Sequence, residues 1–111
     1  MVIVETPIFT KRILSILSDE EYRLLQLNLL NKPDAGKIIR GSGGLRKLRW
    51  SANGHGKSGG TRIIYYWFVA HDKILLVFAY TKNEQGDLTP EQLNQLKKVI
   101  EGEDIGTLVH N

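Results

Sequence analysis

The sequence contains no cysteine in 111 residues, which excludes a disulfide framework and any thiolate metal site. Histidine is scarce: His55, His71 and His110 are scattered, no HExxH pattern occurs, and a metal centre has little to be built from. No apolar run approaches the length needed to span a bilayer, and "MVIVETPIFTKR" lacks a cationic leader followed by a long apolar stretch. No internal repeat or low-complexity segment occurs. The expectation is one globular domain over residues 1–111, large enough to bury a core and too small to hold two, in the cytoplasm.

The most informative scarcity is of negative charge. Between Ala35 and His71 there is no acidic residue, while Lys37, Arg40, Arg46, Lys47, Arg49, Lys57 and Arg62 supply seven cations. All twelve acids lie outside that stretch, against eight remaining cations, so a net charge of +3 hides a strongly polar distribution. A basic centre flanked by acidic ends points to a face that binds a polyanion. A merely solvated basic surface is the alternative.

Periodicity gives the elements. "VIV" at residues 2–4 reads as a short strand. Thr6 followed by Pro7 is an N-cap with proline at the first helical position, and Phe9, Ile13 and Ile16 recur at helical spacing. Ser18 and Glu21 form a capping box for a second helix, whose first turn carries three acids at the positive end of its dipole. "NKPDAG" ends that helix, making a helical hairpin. "LRKLRWS" alternates, with Leu48 and Trp50 on one side and Lys47 and Arg49 on the other. "RIIYYWFV" is apolar enough on both sides for a central strand, and "ILLVFAYT" returns after "AHDK". Thr89 and Gln92 make a second capping box, opening a helix striped by Leu93, Leu96 and Ile100 and stopped at Gly102. Residues 103–111 carry no such periodicity and read as a flexible tail. The order β-α-α-β-β-β-α predicts an α+β fold, a small antiparallel sheet with the helices packed against it. If the turn centres between His71 and Asp72, Arg62 opposes Thr81.

One stretch, "SANGHGKSGGTRIIYY", sets four glycines, a histidine and two cations before the stiffest strand. It imitates two phosphate motifs and satisfies neither. Gly54 to Gly59 fits GxGxxG, yet that fingerprint needs a strand before it and a helix after it. Gly56-Lys57-Ser58 resembles the end of a P-loop, but the leading glycine falls on Ser51 and again a strand follows. Ser58 and His55 lack a nearby acid in sequence, so a hydrolase triad has little support. The remaining reading is a mobile cationic flap over a rigid cationic platform, where "LRKLRW", "RIIYY" and "YTKNE" meet at one end of the sheet.

Three functional readings stay open: metal-free RNA cleavage, a noncatalytic nucleic-acid-binding module, and a protein-interaction domain whose charge is incidental. Cleavage requires a group to take the 2′-hydroxyl proton, charge to neutralise a pentavalent phosphorane, and a proton for the leaving 5′-oxygen. No cofactor is required. Arg62 suits the phosphate, because a guanidinium matches two oxygens and stays charged. Lys82 is a candidate second phosphate contact, and Lys57 or Lys82 a candidate for proton transfer. His55 has the intrinsic pKa for acid–base work but sits among glycines. Lys47 and Arg49 share a strand face suited to backbone contact. Of Trp50, Tyr65, Tyr66, Trp67 and Tyr80, one or two are available to stack on bases. Glu84 reads as an ion-pair partner orienting the cations.

The element order, "GGLRKLRW", the glycine-rich basic loop, "GGTRIIYYW" and "YTKNE…DLTPEQ" together resemble the RelE-type toxins of bacterial toxin–antitoxin systems, the HigB-like branch in particular. The resemblance implies a compact RelE-like fold and ribosome-dependent cleavage of messenger RNA, which inhibits translation. It also implies a cognate antitoxin, with operator DNA bound only through the complex of the two. By position, Arg62 matches the family's catalytic arginine, Lys82 and Asn83 its basic pair after the last strand, and Lys47, Arg49 and Lys57 its basic strand and loop; Arg46 and His55 are further candidates for RNA binding. Asn83 stands where a second cation is often found, and the tyrosine some members carry after the last strand is absent, with Thr89 or its neighbours in its place. The related ParE-type toxins, which share the fold and poison gyrase, are the alternative within the resemblance.

Overall fold

The first helix is set by its cap. In the computed structural model, which describes residues 1–51 and 60–104, Thr6 ends strand β1 (Val2–Glu5) and starts α1 (Pro7–Ile16). Its hydroxyl accepts from the Phe9 backbone N–H at 3.1 Å and donates to the Val77 carbonyl at 2.8 Å, so one buried threonine both caps the helix and pins it to the sheet. Ser18 and Glu21 form the expected capping box of α2 (Asp19–Asn31). Thr89 and Gln92 do the same for α3, which runs Pro90–Asp104. Helix α3 therefore passes through Gly102 rather than stopping there: one helical glycine costs only about 1 kcal/mol relative to alanine, which the anchored turns before it outweigh. Residues 105–111, the rest of the expected tail, lie outside the described residues.

The sheet has five strands in the order β1-β5-β4-β3-β2, with β2 at Lys37–Ile38, β3 at Arg46–Trp50, β4 at Thr61–Phe68 and β5 at Lys73–Thr81. Strands β3, β4 and β5 are antiparallel neighbours, as expected, and β2 extends them antiparallel at the β3 edge. The first pairs parallel with β5, Val2 opposite Lys73 through Glu5 opposite Leu76, so the sheet is mixed. Parallel pairing needs a long crossover, and the chain between β1 and β5 supplies it; a four-residue strand gives no local sign of its distant neighbour. The short β2 was not legible either.

Strands β4 and β5 are central and buried on both faces, as an unbroken apolar run requires. One face meets the helical hairpin: Phe9, Ile13, Leu25 and Leu29 pack on Ile63, Tyr65, Ile74, Leu76 and Ala79. The other meets α3: Leu96 and Ile100 pack with Leu45, Ile64, Leu75, Val77, Phe78 and Tyr80.

The register differs from the expected one. A 3-10 turn at Val69–His71, closed by Asp72 in the left-handed region (φ 49°), pairs Phe68 with Lys73. A bulge at Ile64/Tyr65 then leaves Val77 without an opposite number, so Arg62 faces Tyr80 and Thr61 faces Thr81. A one-residue slip exchanges the faces of a strand relative to its neighbour, and here it decides what Arg62 stands beside.

Candidate nucleic-acid interface

Strand β3 lies directly against β4, with Arg49 opposite Arg62 and Lys47 opposite Ile64, while Lys37 of β2 lies opposite Lys47. Residues directly opposite share a face. Lys37, Lys47, Arg49 and Arg62 therefore stand on one side of the sheet, the side whose other half α3 covers. Like charges directly opposite each other in a sheet are destabilising, and this face contains two such pairs.

Arg62 is only 9% exposed, so its guanidinium acts from a partly water-excluded position, where charge interactions are stronger than in bulk water. The end of β5 is tied to the start of β4 by the Lys82 N–H, which donates to the Gly60 carbonyl at 2.6 Å. Lys82 and Asn83, both exposed, follow at once in a turn. Lys82 is two positions beyond Tyr80, the residue facing Arg62.

The acid that serves this surface is Asp87, from the loop before α3. It pairs with Lys47 at 3.3 Å and accepts from the Leu88 N–H at 2.8 Å. That N–H bond first, and the ammonium of Lys47 with it, holds the Asp87 carboxyl below its usual range. Burial raises the Tyr80 hydroxyl pKa, the Asp87 charge raises it further, and Arg62 acts in the other direction. That hydroxyl is fully buried and makes no hydrogen bond of good geometry, although the Asp87 carboxylate is close enough to act on it. No sequence signal pointed to Asp87 reaching a lysine forty residues away in the chain, and Tyr80 was marked only as a base-stacking candidate. Tyr65 and Tyr80 are in fact fully buried and cannot stack on a ligand, and Trp50, Tyr66 and Trp67 are half-buried.

Two expected participants point elsewhere. Arg46 is one residue out of phase with Lys47 and Arg49 and faces Tyr65. Its Nη1 donates to the Gly36 carbonyl at 2.8 Å, tying down the loop after α2. Glu84 is an ion-pair partner, but of Arg12 on α1: the guanidinium Nη2 lies 2.7 Å from both carboxylate oxygens. Glu84 also accepts from the Thr81 N–H and hydroxyl, at 2.8 and 3.2 Å. It fastens the β5 end to α1 rather than orienting the cationic face. Lys57 and His55 lie outside the described residues.

The surface is held from below by Gly36. Its N–H donates to the Tyr65 hydroxyl at 2.8 Å, and that hydroxyl donates to the Pro33 carbonyl at 2.7 Å. A Cβ at position 36 would lie 2.8 Å from the Tyr65 ring and 3.0 Å from the Lys47 carbonyl oxygen. Only glycine lets the backbone come this close, and that approach places Lys37 beside Lys47.

Among the described residues no group of three or more His, Asp or Glu side chains is arranged to hold a metal ion, and no helix is long and apolar enough to cross a membrane. What the arrangement can do is grip and polarise a phosphodiester with fixed guanidinium and ammonium groups.

The family described as the RelE toxin of the RelE/RelB toxin–antitoxin system matches residues 30–104, about two thirds of the chain. The matched span runs from the end of α2 through α3 and includes every residue of the cationic face.

Proposed function

We propose that this chain, which belongs to the RelE toxin family of toxin–antitoxin systems, is an endoribonuclease that cuts messenger RNA on the ribosome without a metal and so stops translation. The observation that carries the proposal is the largely buried Arg62 set directly opposite Arg49, on the sheet face that α3 covers only in part. In the reaction, the 2′-oxygen bonds to the adjacent phosphorus, the bond from phosphorus to the 5′-oxygen breaks, and a cyclic phosphate and a 5′-hydroxyl result. Arg62 neutralises the charge that grows on the phosphorane oxygens. Lys82, beside the β4–β5 end, contacts the same phosphate and gives a proton to the leaving oxygen. Lys57 is the candidate to take the 2′-proton, with His55 as a further loop contact. Lys47, Arg49 and Asn83 position the backbone; Arg46, turned to the other face, supports the fold instead. A cognate antitoxin neutralises the toxin, and operator DNA is reached through their complex.

Induction of the chain alone in a bacterium arrests growth, and primer extension on ribosome-bound message maps new cuts. Arg62→Ala lowers cleavage roughly 10²- to 10³-fold, the usual loss on removing one group that stabilises a charged transition state, while circular dichroism keeps the native signature. Undiminished cuts in Arg62→Ala refute the assignment. Arrest accompanied by DNA damage and intact messages fits gyrase poisoning instead.

A further inference from the structure

Strand β2 stops short of its neighbour. It pairs with β3 only at Lys37 opposite Lys47 and Ile38 opposite Arg46. Leu48 to Trp50 therefore have no strand beside them on that side among the described residues. The space left is a cavity of about 520 Å³ lined by Ala35, Lys37, Lys47, Leu48 and Arg49. It presents three cations and no acid. Asp87 offsets Lys47 at 3.3 Å from the neighbouring loop, and Lys37 is exposed. Sequence reading counted Lys37 only in the overall charge, because nothing local says that a lysine after "NKPDAG" joins the sheet.

We propose that Lys37, Lys47 and Arg49 form a second phosphate site, which grips the RNA backbone at a linkage next to the one held by Arg62. The inference rests on the cleavage reading above. Lys37 stands two strands from β4, a separation on the order of 10 Å, too wide for one phosphate to be shared with Arg62. Arg49 links the two sites, since it lines the cavity and lies directly opposite Arg62. Lysine binds phosphate as a point charge and arginine as a fork, so the outer site holds position while the inner one polarises. A row of cations continuous with Arg62 fits a phosphodiester chain better than an acidic peptide, for which continuity with a reaction centre has no use.

The test uses ribosomes programmed with messages that carry a single uncharged methylphosphonate at successive linkages around the cleaved one. For the wild-type protein, one flanking linkage lowers kcat/KM roughly 10- to 10²-fold when neutralised, the order expected for one charge-assisted contact. Lys37→Ala cuts the unmodified message with the same loss and is insensitive to that linkage, whereas Lys37→Arg recovers both rate and sensitivity. Because Lys37 is exposed, its truncation leaves melting unchanged. If Lys37→Ala retains wild-type kcat/KM and sensitivity, the second site is wrong and the cleavage reading stands. If the wild-type protein cuts no programmed message, the cleavage reading fails and takes the site with it. If Lys37→Ala weakens antitoxin binding and leaves RNA cleavage unaltered, the cavity belongs to the protein partner and the proposal is overturned.

Discussion

The two faces of the sheet are built from the same strands and do opposite things. The face under the helical hairpin is closed by Phe9, Ile13, Leu25 and Leu29, none more than 2% exposed. The face under α3 is closed only over β5 and part of β4. Over β3 and β2 it lies open and carries like charges in direct opposition. Apolar burial stabilises a fold in proportion to the area removed from water, whereas like charges set directly opposite each other work against folding. The closed face holds the strands rigid enough for the open one to keep four cations at fixed spacing.

The contrast is sharpest if each face is damaged in turn. The largest effect is expected on the closed face, where Phe9→Ala removes a fully buried ring and lowers stability by roughly 3–5 kcal/mol, measured by urea denaturation. A loss below 1 kcal/mol would mean that the hairpin is not the structural half. Gly36→Ala strikes the join between the two faces. The new methyl group presses on Tyr65 and on the Lys47 carbonyl, and overpacking of this kind costs about 1–3 kcal/mol. Because the same contact seats Lys37, RNA cleavage falls further than the stability loss alone accounts for; equal falls in both would separate the glycine from the site.

The smallest effect concerns acid. The Arg12 guanidinium, together with the Thr81 N–H, holds the Glu84 carboxyl below its ordinary value of 4.5. A depressed folded-state pKa adds stability that is fully present above the unfolded value and is lost as pH falls through the folded one. Melting temperature should therefore drop on acidification below about pH 4.5, and Glu84→Gln should flatten the drop in that window while leaving the melt at neutral pH little altered. An unchanged acid profile would show that the tie between α1 and the β5 end is decorative.

Much of the fold was readable along the chain. Thr6-Pro7, Ser18…Glu21 and Thr89…Gln92 are local signals, each complete within four residues, and all three start helices where expected. The twofold alternation of "LRKLRW" separated Lys47 and Arg49 from Leu48 and Trp50. It should also have removed Arg46 from the RNA-facing set, since Arg46 shares the parity of Leu48. The acid-free centre located the basic face without saying which of its cations would stand together. Lys37 was missed because β2 has only two residues, and a strand of that length leaves no period to detect.

By itself, then, the sequence determined the helices, their caps, the central strands and the sign of the charge. These depend on neighbours a few residues apart and on composition. Tertiary structure decided which side of the sheet each cation occupies, that β1 runs parallel to β5, that Asp87 serves Lys47, and that Glu84 serves Arg12. The physical reason is parity: a short turn and one bulged residue, Val77, change which residues oppose each other across β4 and β5. A shift of one position moves a side chain to the other face, and only the packing of both faces at once selects between the two registers.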